Sequence, residues 1–98
     1  MTNIEVIDIE EYSKQGKPVP KEKHYQIRID REKYIVEEEC KTGRELLKLA
    51  NKIPVEKYQL NQKLKGGQVK PIGYDETVCF TDLGIERFMT LPLDQTEG

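Results

Sequence analysis

The stretch HYQIRIDREKYIVEEECKTGRELLKLANKIP, from His24 to Pro54, changes its hydrophobic period once, and that change constrains the fold more than any other feature. HYQIRID alternates. Tyr25, Ile27 and Ile29 fall on one side, and Gln26, Arg28 and Asp30 on the other, as in a half-buried strand. A tight turn around DREK leads into KYIVEEEC, a returning strand with Tyr34, Val36 and Cys40 at same-face spacing. The two strands make a β-hairpin. At Thr42 the period becomes helical. Thr42 and Glu45 have the spacing of a capping box, in which each side chain satisfies the other residue's backbone N–H. Leu46, Leu49, Ala50 and Ile53 follow as one apolar stripe, widened by Leu47, and Pro54 prevents continuation. So short a helix is held mainly by docking its stripe on a sheet.

The rest of the chain supplies that sheet. VEKYQLNQKL reads as a third strand, with Tyr58, Leu60 and Leu64 on one face and Gln59, Asn61 and Lys63 on the other. KGGQ is a turn. VKPIGY is a short edge strand, because Pro71 cannot donate to a ladder. DETVCFTDLG is a loop or a single helical turn, with Val78 and Phe80 plugging the core and Gly84 closing a turn. IERFMTLPL is the last strand. The expected architecture is α+β, one helix laid across a mixed sheet of four to five strands.

Residues 1–22 have their own organisation. Ile4, Val6 and Ile7 suggest a short extended piece. Asp8 is placed to cap a brief helix over IEEYSKQ, with Gly16 just past its end, and KPVPK reads as an extended linker. Two readings of this arm stay open. One is partial disorder. In the other, Ile4, Val6, Ile7, Ile9 and Tyr12 cover a surface, on this molecule or on a neighbour.

Composition excludes several functions. With 98 residues and 36% hydrophobic content the chain builds one small domain with a modest core. The net charge of −2 comes from intermixed acids and bases, unlike the basic face of a nucleic-acid binder. MTNIEVIDIEEY lacks the basic segment and apolar run of a signal peptide, and no stretch is apolar enough to span a bilayer. A cytoplasmic location, with neither nucleic acid nor membrane as partner, is expected. Cys40, Cys79 and the one histidine, His24, offer no zinc-ligand spacing. In a reducing cytosol both cysteines are expected to be free, strand-borne and at least half-buried. KLKGGQVK lacks the spacing of a phosphate loop. No catalytic triad or paired carboxylate set stands out.

The hairpin–helix–strand order is that of the β-grasp fold. KIPVEKYQL resembles the helix-to-strand passage of ubiquitin. HYQIRIDREKYIVEEECKTGRELLKLA, YQLNQKLKGG, DETVCFTDLGIERFMTLP and the terminal DQTEG together resemble the bacterial multi-ubiquitin-like domain over residues 24–98. The resemblance implies a division into an N-terminal arm and linker (1–22), a β-grasp domain (23–93) and a flexible tail (94–98). It implies a protein modifier rather than an enzyme, with no cofactor of its own. The Gly98 carboxylate is then the conjugated group, and Leu91, Leu93, Asp94, Gln95, Thr96 and Glu97 are read by partner enzymes. Those partners are a ubiquitin-type activating enzyme, a conjugating enzyme and a deubiquitinase-like protease, together with target proteins joined through isopeptide bonds. Bacterial stress or antiphage defence is the setting such systems suggest. A side-chain-poor end suits a carbonyl that must thread a narrow channel, since glycine imposes the least bulk. This tail departs from ubiquitin's basic diglycine end. It is acidic and carries one glycine, so its enzymes need a basic groove.

Two other functions fit the same residues. The first is a non-covalent assembly module, whose arm docks on a neighbouring β-grasp domain and oligomerises the chain. The second is a sulfur carrier, which shares the fold but usually ends in diglycine.

Overall fold

The structure, a computed structural model, describes residues 5–93. In chain order the elements are β1 (Val6–Asp8), α1 (Ile9–Gln15), β2 (His24–Ile29), β3 (Glu32–Val36), β4 (Cys40–Thr42), α2 (Gly43–Leu49), a 3-10 turn (Val55–Lys57), β5 (Tyr58–Leu64), β6 (Val69–Ile72), β7 (Thr77–Cys79) and β8 (Ile85–Pro92). Six strands form one mixed sheet along β1–β2–β8–β5–β6, with β3 on the other side of β2; β4 and β7 form a separate pair. Among the described residues, the expected four or five strands and single helix therefore become eight strands and two α-helices. The additions come from the N-terminal arm and from the cysteine-bearing segments.

The hairpin forms as its alternation predicts. Tyr25, Ile27 and Ile29 are fully buried and pair with Val36, Tyr34 and Glu32. The returning strand is shorter than its pattern suggested. It stops at Val36, and Cys40 opens β4 in the second sheet. Three consecutive acids, Glu37 to Glu39, occupy the bend between them. Such residues prefer solvent to a pleated, half-buried surface.

Helix α2 starts on the capping box. Thr42 Oγ1 accepts from Glu45 N at 3.2 Å, and Thr42 N donates to Glu45 Oε1 at 2.8 Å. The second bond holds the Glu45 carboxyl below its ordinary range. At Gly43 a Cβ would run into the Gly73 carbonyl oxygen, so the helix starts in backbone contact with the β6–β7 connection. The helix ends earlier than Pro54 requires. Asn51 takes a left-handed conformation (φ 62°). Its N–H donates to Lys48 O at 2.9 Å, and Lys52 N donates to Leu47 O at 2.8 Å, which is a Schellman end with asparagine in place of glycine. The stripe is therefore Leu46 and Leu47, both fully buried, flanked by partly buried Leu49 and Ala50. Ile53 lies beyond the helix and is 60% exposed.

The core lies between the sheet and α2. The Phe80 ring packs edge-on to Phe88 at 6.2 Å and tilted to Tyr25 at 6.1 Å, arrangements that aromatic quadrupoles favour. Val78 and Phe80 plug the core as expected. Val78 lies in a strand, however, and Phe80 just past its end, because β7 pairs with β4 in the register Cys40↔Cys79. That register places the two cysteines opposite one another, Cα–Cα 4.0 Å apart, and they are joined as a disulfide. The expectation of two free thiols is thus corrected. The bond ties the strand before α2 to the strand before Phe80. β6 is an edge strand, as Pro71 required.

Candidate functional site

The candidate site is the strand that leads to the tail, with the surface around it. β8 lies between β2, to which it runs parallel, and β5, to which it runs antiparallel. On the β5 side the ladder extends from Leu64↔Ile85 to Tyr58↔Pro92, and Leu93 N donates to Lys57 O at 2.8 Å. The backbone is therefore held in the sheet up to Leu93. On the β2 side the contact is short but strongly fixed. Asp30 N donates to Phe88 O at 2.9 Å. The Asp30 carboxylate accepts from Thr90 N at 2.8 Å and from Thr90 Oγ1 at 2.6 Å. Asp30 sits in the hairpin turn with φ 57°, a conformation that aspartate tolerates better than most residues. One turn residue thus clasps the strand sixty positions later in sequence.

Leu91, expected to be read by partner enzymes, lies on the sheet's outer face and is 52% exposed. Leu93 is half-buried at the end of the ladder. Asp94, Gln95, Thr96, Glu97 and Gly98 fall outside the described residues. Gln59, Asn61 and Lys63 have the opposite parity to buried Leu60, as their alternation implied, so this part of the outer face is polar along β5. Tyr34 opens onto a cleft with Asp30, Glu32, Lys52 and Thr90. Its phenol is pushed above its usual range by burial, then by Glu32 and Asp30.

The arm residues are placed in the same chain. β1 pairs parallel with β2, Ile7 opposite Tyr25, and Ile7 and Ile9 are both about 1% exposed. Asp8 caps α1 through its carboxylate, and Gly16 closes it at φ 69° with Lys17 N donating to Tyr12 O. Glu10 Oε1 lies 3.2 Å from Arg28 Nε, and Gln26 Nε2 donates to Asp8 Oδ2 at 3.2 Å. Arg28 and Gln26 alternate with the core residues of β2, so α1 lies on the face opposite α2. Tyr12 is half-buried, Val6 is 44% exposed, and Ile4 lies outside the described residues. The linker is anchored too, since Tyr25 Oη donates to Pro20 O at 2.8 Å.

Sequence reasoning missed the Asp30–Thr90 clasp. An aspartate in a two-residue turn was the available signal, but its partner lies sixty positions away.

A hairpin, a helix across its face, and a last strand parallel to the first strand of that hairpin define a ubiquitin-like domain. The family model of Multiubiquitin matches residues 25–92, and the chain belongs to that family. No curated protein and no solved structure gives a significant match. Among the described residues, no helix is long and apolar enough to cross a membrane.

Proposed function

We propose that this protein is a modifier, conjugated through the carboxylate of Gly98 to amines on target proteins by activating and conjugating enzymes, and released by a deubiquitinase-like protease. The observation that carries the reading is the fixed root of the tail. The backbone is tied into the sheet up to Leu93 and clasped by Asp30 from the β2–β3 turn on the neighbouring strand. The five residues beyond it, DQTEG, have few bulky side chains. A rigid root lets an enzyme that grips the domain find the tail at a fixed position, which lowers the ordering cost of the encounter. Leu91, half-exposed at that root, supplies an apolar contact beside the exit. The acidic tail calls for a basic channel in the enzyme. The reaction forms an adenylate, then a thioester on an enzyme cysteine, then an amide. The protein supplies only the carboxylate.

The test is intact-mass and gel analysis with ATP, magnesium and an activating enzyme encoded beside this chain. A thiol-sensitive adduct on that enzyme, lost on deletion of Gly98, is the expected result. No adduct with an enzyme shown to be active on another modifier refutes the reading.

The second reading, assembly through the arm, uses the contacts seen within one chain. β1 and α1 are joined to β2 by residues 17–23, so the same strand pairing can form between two copies. Light scattering of the full chain over a wide concentration range checks this. A monomer throughout removes it.

A further inference from the structure

The two edges of the main sheet are not alike. β6 carries Pro71, which blunts it. β3 has no proline and, among the described residues, pairs only with β2. The backbone bonds of β2 show which groups of β3 are free. His24 N donates to Glu5 O at 3.1 Å and Asp30 N to Phe88 O at 2.9 Å, so the even-numbered residues of β2 direct their backbone groups toward β1 and β8. The odd-numbered ones, Tyr25, Ile27 and Ile29, bond Val36, Tyr34 and Glu32 of β3. The N–H and C=O groups of Lys33 and Ile35 therefore point away from the sheet. Their side chains stand on the outer face beside Arg28 and Gln26, and Ile35 is 58% exposed. Helix α1, on that face, packs over β2 and β8. Arg28 is held by Glu10 at 3.2 Å. Among the described residues, neither Lys33 nor Glu37, both exposed, forms an ion pair.

We infer that β3 pairs antiparallel with β3 of a second copy of the chain, about a two-fold axis at Ile35, so that two sheets join into one. The run KYIVE, Lys33 to Glu37, selects that occupant and that register. Outward backbone groups recur at every second residue, so a two-fold pairing can centre on Lys33, Tyr34, Ile35 or Val36. Centring on Lys33 sets two lysines against each other. Centring on Tyr34 sets each Lys33 against Ile35, and centring on Val36 sets each Ile35 against Glu37. Only a centre at Ile35 puts apolar against apolar and Lys33 against Glu37 on both flanks. On the helix side it puts Tyr34 beside Val36. Glu32 then meets Glu38, but Glu38 lies in the bend past the strand and is bound to Lys41 at 3.0 Å. A lysine on an edge ordinarily guards it against an added strand. A strand that answers this guard must offer a base, an apolar residue and an acid at alternate positions, which is the order β3 itself has. The contact is isologous and closes as a dimer. It is one strand wide, well under the ~1,600 Å² of a standard interface, so it is weak and reversible. β1 and β8 lie on the other side of β2, so each dimer presents two tails. The pairing uses neither the arm nor Gly98. Its failure, that of arm exchange and that of conjugation are therefore separate results.

The experiment follows the isotope-labelled full chain at low salt, from micromolar to millimolar concentration, by NMR and sedimentation equilibrium. Association that grows with concentration is expected, with amide shifts centred on Lys33, Ile35 and Glu37. The exposed substitutions Lys33→Glu and Glu37→Lys each turn two attractive crossings into repulsive ones and weaken association about tenfold or more. An equimolar mixture of the two variants restores it, because each crossing in the mixed pair again sets glutamate against lysine. A chain carrying both substitutions associates like the unaltered protein for the same reason. Circular dichroism verifies that every variant is folded. A chain that stays monomeric at millimolar concentration overturns the inference. So does association that Lys33→Glu leaves unchanged, which marks contact through another surface, and so do two variants that remain apart when mixed.

Discussion

Replacing Asp30 separates two contributions that a single substitution would merge. The carboxylate accepts two hydrogen bonds from Thr90, at 2.8 and 2.6 Å. Hydrogen bonds to charged groups are worth about 1.5–3 kcal/mol each, and the site is only part-buried, so the low end applies and the clasp contributes about 2–3 kcal/mol. The backbone at φ 57° adds a second term. Alanine there pays about 1 kcal/mol more than glycine, which has no Cβ penalty. Asp30→Asn keeps an acceptor and tolerates the conformation, so its cost is about 1–2 kcal/mol. Asp30→Gly loses the clasp alone, about 2–3 kcal/mol, and Asp30→Ala loses both, about 3–4 kcal/mol. For a domain of this size 1 kcal/mol moves Tm by about 5 °C, so the alanine variant should melt roughly 15–20 °C lower. Urea denaturation followed by circular dichroism gives the order Asn, Gly, Ala. Hydrogen exchange at Met89 and Leu91 reports whether the loss is local to the strand before the tail. A glycine variant within about 0.5 kcal/mol of the unaltered protein would refute the clasp. An alanine variant more stable than glycine would refute the backbone term. A double-mutant cycle with Thr90→Val should give a coupling near the clasp energy.

Four further outcomes follow from the fold. Reducing the Cys40–Cys79 bond, which closes a loop with a sequence separation of 39, should cost about 4 kcal/mol on loop-closure entropy; urea midpoints with and without reductant measure it, and a Cys40→Ser/Cys79→Ser chain should match the reduced protein. Ile7→Ala should cost about 2–5 kcal/mol as a core truncation, whereas an undocked arm would give no loss in the same denaturation experiment. Gly43→Ala should destabilise although alanine is the better helix former, because its Cβ meets the Gly73 carbonyl; a stabilised variant would disprove that close contact. The Glu45 and Glu76 carboxyls are held below their ordinary values, chiefly by the backbone N–H groups of Thr42 and Gly73. With folded-state pKa lowered, their stabilisation is complete above the unfolded value of about 4.3 and is lost as pH falls through the folded one. Glu45→Gln should therefore flatten the acid limb of a stability–pH curve, and an unchanged limb would count against the capping contribution.

What could be read from the sequence was mostly local. The capping box spans four residues, Asp8 and Gly16 bracket one short helix, and Tyr25-x-Ile27-x-Ile29 shows its face within one strand. Each of these signals sits inside the element it defines. The elements that escaped depend on partners far along the chain. β7 exists because β4 lies beside it, and the disulfide follows from that pairing. A cytosolic prior pointed the other way. Ile53 seemed to extend the helical stripe, but Asn51 had already turned the chain. The arm's apolar residues announced a need for cover, yet only the parallel pairing with β2 shows that their own sheet provides it. At the candidate site, the outward polarity of β5 was readable from alternation. The apolar residues that flank it were not, because Val69, Pro71, Met89 and Leu91 come together only through the registers of two neighbouring strands.

The placement of β8 also determines how the molecule resists force. A pull applied beyond Leu93 acts along the strand axis, and the rungs joining β8 to β5, from Pro92 back to Ile85, carry it side by side. They must shear together, where a hairpin edge would unzip one rung at a time. The Asp30 clasp adds resistance on the opposite flank, near the loaded end. A machine that drags this domain by its tail therefore meets its stiffest resistance at the first step. Pulling on the arm first loads the short β1–β2 pairing, Val6 to Asp8 against His24 to Gln26, so the two ends of the chain offer very different grips.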